Sequence, residues 1–121
     1  MNVTRFRDLH SGGETKCPPY DTIYIEADNE ATARLRFRDI FHRDPDNVSC
    51  DCCGIDYSVV FYTSLARATR DDRCKTNYFG RKPKKYLSIE EYLTKSTNSV
   101  FIPKNTFFDY SEKEKVGPLF D

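Results

Sequence analysis

Apolar and polar positions alternate from Thr22 to Ala27, with Ile23, Ile25 and Ala27 on one face, and a two-residue period of this kind predicts a β-strand. Beyond Asp28 the period changes. Ala33, Phe37, Ile40 and Phe41 recur at i, i+4, i+7 and i+8, the spacing of one buried helical face, so a helix running to about His42 is expected. Asp28 is the expected N-cap, and Glu30 in the first turn suits the positive end of the helix dipole. The turn formers Asp44, Pro45, Asp46 and Asn47 end the helix.

The run Tyr57-Ser58-Val59-Val60-Phe61-Tyr62 is apolar on both sides, which predicts a strand in the middle of a sheet. Val3 to Asp8 reads as a short edge strand, Leu65 to Arg70 as a helical turn, and Val100 to Ile102 as a short strand stopped by Pro103. Ser88-Ile89-Glu90-Glu91 has the form of a capping box, with Leu87 and Tyr92 placed for a hydrophobic staple. A short helix from Ile89 to about Lys95 follows, burying Ile89, Tyr92 and Leu93. The expected fold is therefore a single α+β domain over residues 1–121. It should hold a small sheet of about three to four strands with two or three helices, stapled by a structural zinc site.

Zinc enters because the core material is thin. Hydrophobic residues make up 38 % of the 121 positions and charged residues 31 %, with a mean hydropathy of −0.71, so a metal would add stability that burial alone supplies sparingly. Cys50-Asp51-Cys52-Cys53-Gly54 places two thiols three residues apart directly before a glycine, the spacing of a zinc knuckle. Cys50 and Cys53 are the expected ligands, because Cys52 does not share their side of so tight a turn. Cys74 lies at ligand-pair spacing beyond Cys53, and Cys17, on a Cys-Pro-Pro turn, completes the set, with His42 next in line for that fourth place and His10 as a further donor. Buried thiols and disulfides are the competing readings. A reducing cytoplasm and an odd total of five cysteines weigh against disulfides.

Charge narrows the choice of partner. The 19 basic and 19 acidic residues cancel, and the pI is near 6.7. General nucleic-acid binders carry a basic excess, and DNA mimics carry an acidic one. Neither is present, which argues against direct nucleic-acid binding and for a protein partner met through a mixed-charge surface. Arg34, Arg36, Arg38 and Arg43 spread around their helix as a solvated face paired with Glu30 and Asp39, and the basic run from Arg81 to Lys85 reads as a solvated loop. No apolar stretch is long enough for a membrane span, and the N-terminus lacks a signal-peptide apolar run, so a cytoplasmic protein is expected. A monomer is the separate expectation for its assembly.

The catalytic inventory is poor. His10 and His42 are the only histidines, the likeliest nucleophiles are cysteines already assigned to zinc, and no H-E-x-x-H, P-loop or G-x-G-x-x-G pattern occurs. The expectation is a protein that is not an enzyme.

Ile25-Glu26-Ala27 leading into a helix with Ala33 and Phe37, followed by the run from Cys50 to Ser58 with its C-x-C-C-G-x-D-Y pattern, resembles a group of small phage-encoded proteins. The likeness covers about the middle third of the chain. Among such proteins are metal-binding anti-CRISPR proteins that block a type II effector such as Cas9 by occupying its surface. The resemblance implies the cytoplasm of an infected bacterium, no catalysis and a large host protein as partner, with no residue carried over as a Cas9 contact. The alternative is a small zinc-binding nucleic-acid-binding module built on the Arg34 to Arg43 helix and the Arg81 to Lys85 loop.

Overall fold

A computed structural model describes residues 1–9, 16–48, 55–75, 85–96, 98–106, 108 and 110. Strands β1 (Val3–Asp8), β2 (Thr22–Glu26), β3 (Tyr57–Tyr62) and β6 (Ser99–Ile102) form a mixed sheet in the order β3-β1-β2-β6. Strand β1 runs antiparallel to both neighbours, pairing Phe6 with Ile23 on one side and with Val59 on the other, while β6 lies parallel to β2 with Ile23 beside Val100. Strands β4 (Cys74–Lys75) and β5 (Lys85–Tyr86) make a separate antiparallel ribbon. The helices are α1 (Glu30–Phe41), α2 (Leu65–Arg73) and α3 (Ile89–Lys95). The architecture is α+β, and no described helix is long and apolar enough to cross a membrane.

Side-chain alternation along the strands builds two cores. Phe6, Ile23, Ile25, Tyr57 and Ile102 point to one face, where Ala33, Phe37 and Phe41 of α1 cover them. Phe37 is the centre of this layer, with ring centroids 4.7 Å from Phe6, 4.9 Å from Phe41 and 5.0 Å from Tyr57. Ile40, Phe108 and Tyr110 pack on its margin, so these two tail aromatics cover core. On the opposite face Val3 and Tyr24 meet Leu65, Ala68 and Tyr92 from α2 and α3.

Four positional expectations change. Strand β1 lies inside the sheet, because both β2 and β3 pair with it, and β3 consequently stands at an edge. Of β3 only Tyr57 is buried, against Phe37 of α1; Ser58, Val59, Val60 and Tyr62 are half-buried and Phe61 is exposed, so its apolar run does not mark a central strand. The α1 N-cap is Asn29, whose side chain accepts from the Thr32 N–H at 2.8 Å, one residue beyond the expected Asp28. Asp28 instead pairs with Lys104. Helix α2 extends through Asp71, Asp72 and Arg73, because Arg73 bonds back to the Thr69 hydroxyl at 2.9 Å and to the Ala66 carbonyl at 2.9 Å. Of the expected α3 capping box the Ser88 half stands, its hydroxyl accepting from the Glu91 N–H at 3.1 Å while the Glu91 carboxylate pairs with Lys95 at 3.9 Å, and Leu87 and Tyr92 share one cluster.

Candidate functional site

The end of the sheet where β1 finishes and β3 begins gathers the described donor positions. The Asp8 N–H donates to the Asp21 carbonyl at 2.8 Å, the Leu9 N–H to Asp56 at 2.9 Å, and the Asp56 N–H to Asn47 at 2.7 Å. Asn47 and Asp56 thus join the two arms that flank residues 49–54. Cys50, Cys52 and Cys53 lie on that stretch, outside the described residues, as does His10. Cys17 is buried at this end within the α1-side core, its carbonyl accepting from the Tyr20 N–H at 2.9 Å. Lys16 anchors it, because its backbone N–H and its Nζ both donate to the buried Asp8 carboxylate, at 2.7 and 2.8 Å.

His42 lies at the same end. It is the exposed C-cap of α1, in the left-handed conformation with φ of 56°. Helix α2 also terminates here, since Asp72 pairs with Arg7, and Cys74 follows immediately in β4. Chain topology therefore brings Cys17, His42, Cys74 and both flanks of 49–54 to one end of the sheet. It does not place them in one layer: Cys17 belongs to the α1 side, and the helix leading to Cys74 covers the other side. Zinc holds thiolates at about 2.3 Å, so an ion shared by both would sit beyond the strand ends. Among the described residues no group of three or more His, Cys, Asp or Glu is disposed to hold a metal ion.

Tyr57 closes this end from within. Its buried hydroxyl lies beside Cys17 and Asp8, and its pKa is pushed above the ordinary tyrosine value first by burial, then by Cys17 and the Asp8 charge, with Arg43 opposing.

On the other face a polar network escaped the reading from sequence. Tyr24 donates its hydroxyl to Asp72 Oδ2 at 2.6 Å, the Tyr24 and Tyr92 hydroxyls are 3.2 Å apart, and Tyr92 meets the Ser99 hydroxyl at 2.8 Å. An ionised carboxylate only accepts, so the chain runs from Ser99 through Tyr92 and Tyr24 to Asp72. Arg7 completes it by pairing with Asp72 and donating from Nε to the Thr22 hydroxyl at 3.3 Å. Burial first, and then the bond to Asp72, push the Tyr24 pKa far above its usual value. The network borders a cleft of about 360 Å³ lined by Arg7, Asp21, Thr22, Asp72, Asn98 and Ser99, among others. Its chemistry is that of a polar brace across β1, β2, α2, α3 and β6. The partners Tyr24 and Asp72 stand 48 positions apart, and no local pattern signals their meeting.

Arginines of α1 are partly committed to the chain itself. Arg34 pairs with Glu30, at 3.2 Å, and with Asp46. Arg36 donates to the carbonyls of Glu26, Pro103 and Thr106, at 3.4, 3.1 and 2.6 Å, and so ties β2 to the segment after β6. Among the described residues no ion pair joins these arginines to Asp39, so the expected Asp39 pairing is replaced by Asp46 and backbone carbonyls. Of the basic run, residues 81–84 fall outside the described residues and Lys85 begins β5. No family model matches the chain, and no curated protein or solved structure is significantly similar to it.

Proposed function

We propose that this chain is a non-catalytic binding protein, stapled by one structural zinc, that works by protein–protein contact, and that its target is a large host protein of the Cas9 type. Cys50 and Cys53 hold the metal, with Cys74 and Cys17 completing the set. In this reading the protein is a phage inhibitor of a type II CRISPR effector acting in the cytoplasm of an infected bacterium.

One observation carries the proposal: the fold delivers Cys17, Cys74 and the arms of residues 49–54 to the same end of the sheet, from three separate parts of the chain. Thiolates are the donors that zinc selects in structural sites. Leu9, Val48 and Ile55 at this end are 37 %, 53 % and 41 % exposed, an apolar rim suited to contact with a protein. The choice of Cas9 rests on the sequence resemblance.

The nucleic-acid-binding alternative is weaker. Two arginines of its proposed helix, Arg34 and Arg36, are engaged within the chain, and the net charge is zero.

The test is metal content by mass spectrometry on protein purified without a chelating tag, followed by Cas9 cleavage at increasing ratios of this protein. One zinc per chain and stoichiometric inhibition are expected. Absence of metal removes the zinc staple, and cleavage that persists in large excess removes the Cas9 target.

A further inference from the structure

Among the described residues, β3 is an edge strand without the usual protection. Its six residues carry no charge and no proline, Phe61 is 37 % exposed, and Ser58, Val59, Val60 and Tyr62 are half-buried. Natural sheets guard such edges with lysine, proline or a bulge, because an open row of N–H and C=O groups recruits another strand. Among the described residues no strand pairs with the outer side of β3.

Backbone alternation shows which groups face outward. In an antiparallel ladder successive residues point their N–H and C=O to opposite sides. The Asp56 carbonyl accepts from Leu9 beside β1, and with Arg7 opposite Ser58 and Arg5 opposite Val60 the alternation turns Ser58, Val60 and Tyr62 inward and Tyr57, Val59 and Phe61 outward. The Tyr57 N–H confirms this alternation, since it donates to the Pro45 carbonyl at 3.2 Å, away from β1. Val59 and Phe61 are left to present both donor and acceptor along the open edge.

We propose that β3 pairs antiparallel with β3 of a second copy of this chain, about a two-fold axis at Val60. The two-fold must lie perpendicular to the sheet, which keeps the α1 face of one copy on the α1 face of the other and so centres the register on a residue. Centring on Val59 would set Phe61 against Tyr57, whose N–H is already taken by Pro45. Centring on Val60 avoids that obstruction. Val59 and Phe61 then each exchange both backbone bonds with the partner's Phe61 and Val59, giving four N–H···O bonds. Side chains agree with this register: Val59 meets Phe61 on the α1 face, while on the other face Val60 meets its own copy and Ser58 meets Tyr62. No like charges oppose one another at any position of the strand. The occupant is a second copy because the edge is complementary to itself in donors, acceptors and apolar side chains. This inference stands apart from the zinc and from Cas9.

Sedimentation velocity over a concentration series, with amide hydrogen exchange, tests it. A concentration-dependent dimer is expected, with the Val59 and Phe61 amides gaining protection as it forms and the Val60 amide protected throughout by β1. Val60→Lys sets two lysines against each other and abolishes the dimer, as Val60→Glu does separately, and mixing the two variants restores a heterodimer. Circular dichroism confirms that each variant is folded. A wild-type chain that stays monomeric throughout the series overturns the proposal. So does a dimer that survives Val60→Lys, or one formed instead with an added β-strand peptide while the chain alone stays single.

Discussion

The hydroxyl of Tyr24 and the carboxylate of Asp72 meet at 2.6 Å across 48 residues, joining the second strand of the sheet to the last turn of α2. Asp72 also holds Arg7, and Tyr24 receives Tyr92, so the pair is the hinge of a network across five elements. Tyr24→Phe deletes the hydroxyl and strands two partners, with an expected loss of about 1–2 kcal/mol in urea unfolding. A variant as stable as the wild type would show the brace to be dispensable.

Alkaline stability follows from the same burial. Tyr24 and Tyr57 both have folded-state pKa values raised above the ordinary 10.0, first by burial. The folded chain therefore retains these two protons where the unfolded chain releases them. Stability from this source is fully present below about pH 10 and falls as pH rises above it, by up to about 1.4 kcal/mol per pH unit for each tyrosine. Tyrosinate absorbance should show these two rings ionising only as the chain unfolds; titration in the folded state by the full set of eight tyrosines would contradict this.

Phe37 contacts three aromatic rings at centroid distances of 4.7 to 5.0 Å and has no exposed surface. Phe37→Ala is expected to cost about 3–5 kcal/mol, a large share of the stability of a domain this size. Thermal unfolding by circular dichroism provides the check.

Helix caps give a smaller effect. Asn29→Ala removes the bond to the Thr32 N–H and should cost about 1 kcal/mol, whereas Asp28→Ala, which leaves that cap intact, should cost less. The reverse order in denaturant midpoints would return the cap to Asp28.

If Cys53 binds zinc and Cys52 does not, Cys53→Ser lowers the melting temperature more than Cys52→Ser, and a chelator removes most of the difference between Cys53→Ser and the wild type. Equal losses in both variants would reassign the ligands within the knuckle.

The elements themselves were legible because their determinants are local. The period of Ala33, Phe37 and Phe41, the Ser88 cap and the alternation of Ile23 and Ile25 each act within a few residues, and each appears in the fold where the sequence placed it. Zinc ligation is legible only as cysteine spacing, and Cys50 and Cys53 fall outside the described residues.

Strand order was decided by tertiary pairing. An apolar run does not report which strand pairs with each of its edges, which is why β3 reads as central, yet among the described residues it stands at an edge with only Tyr57 buried. The partners of Tyr24, Arg36 and Asp72 were likewise settled by the tertiary structure, because their bonds span from 10 to 70 positions. Local sequence determined which segments become helix and strand, since caps and periodicity act through neighbouring backbone. The three-dimensional fold alone decided which edge stays open and which polar groups meet, since those depend on distances that only the packed chain defines.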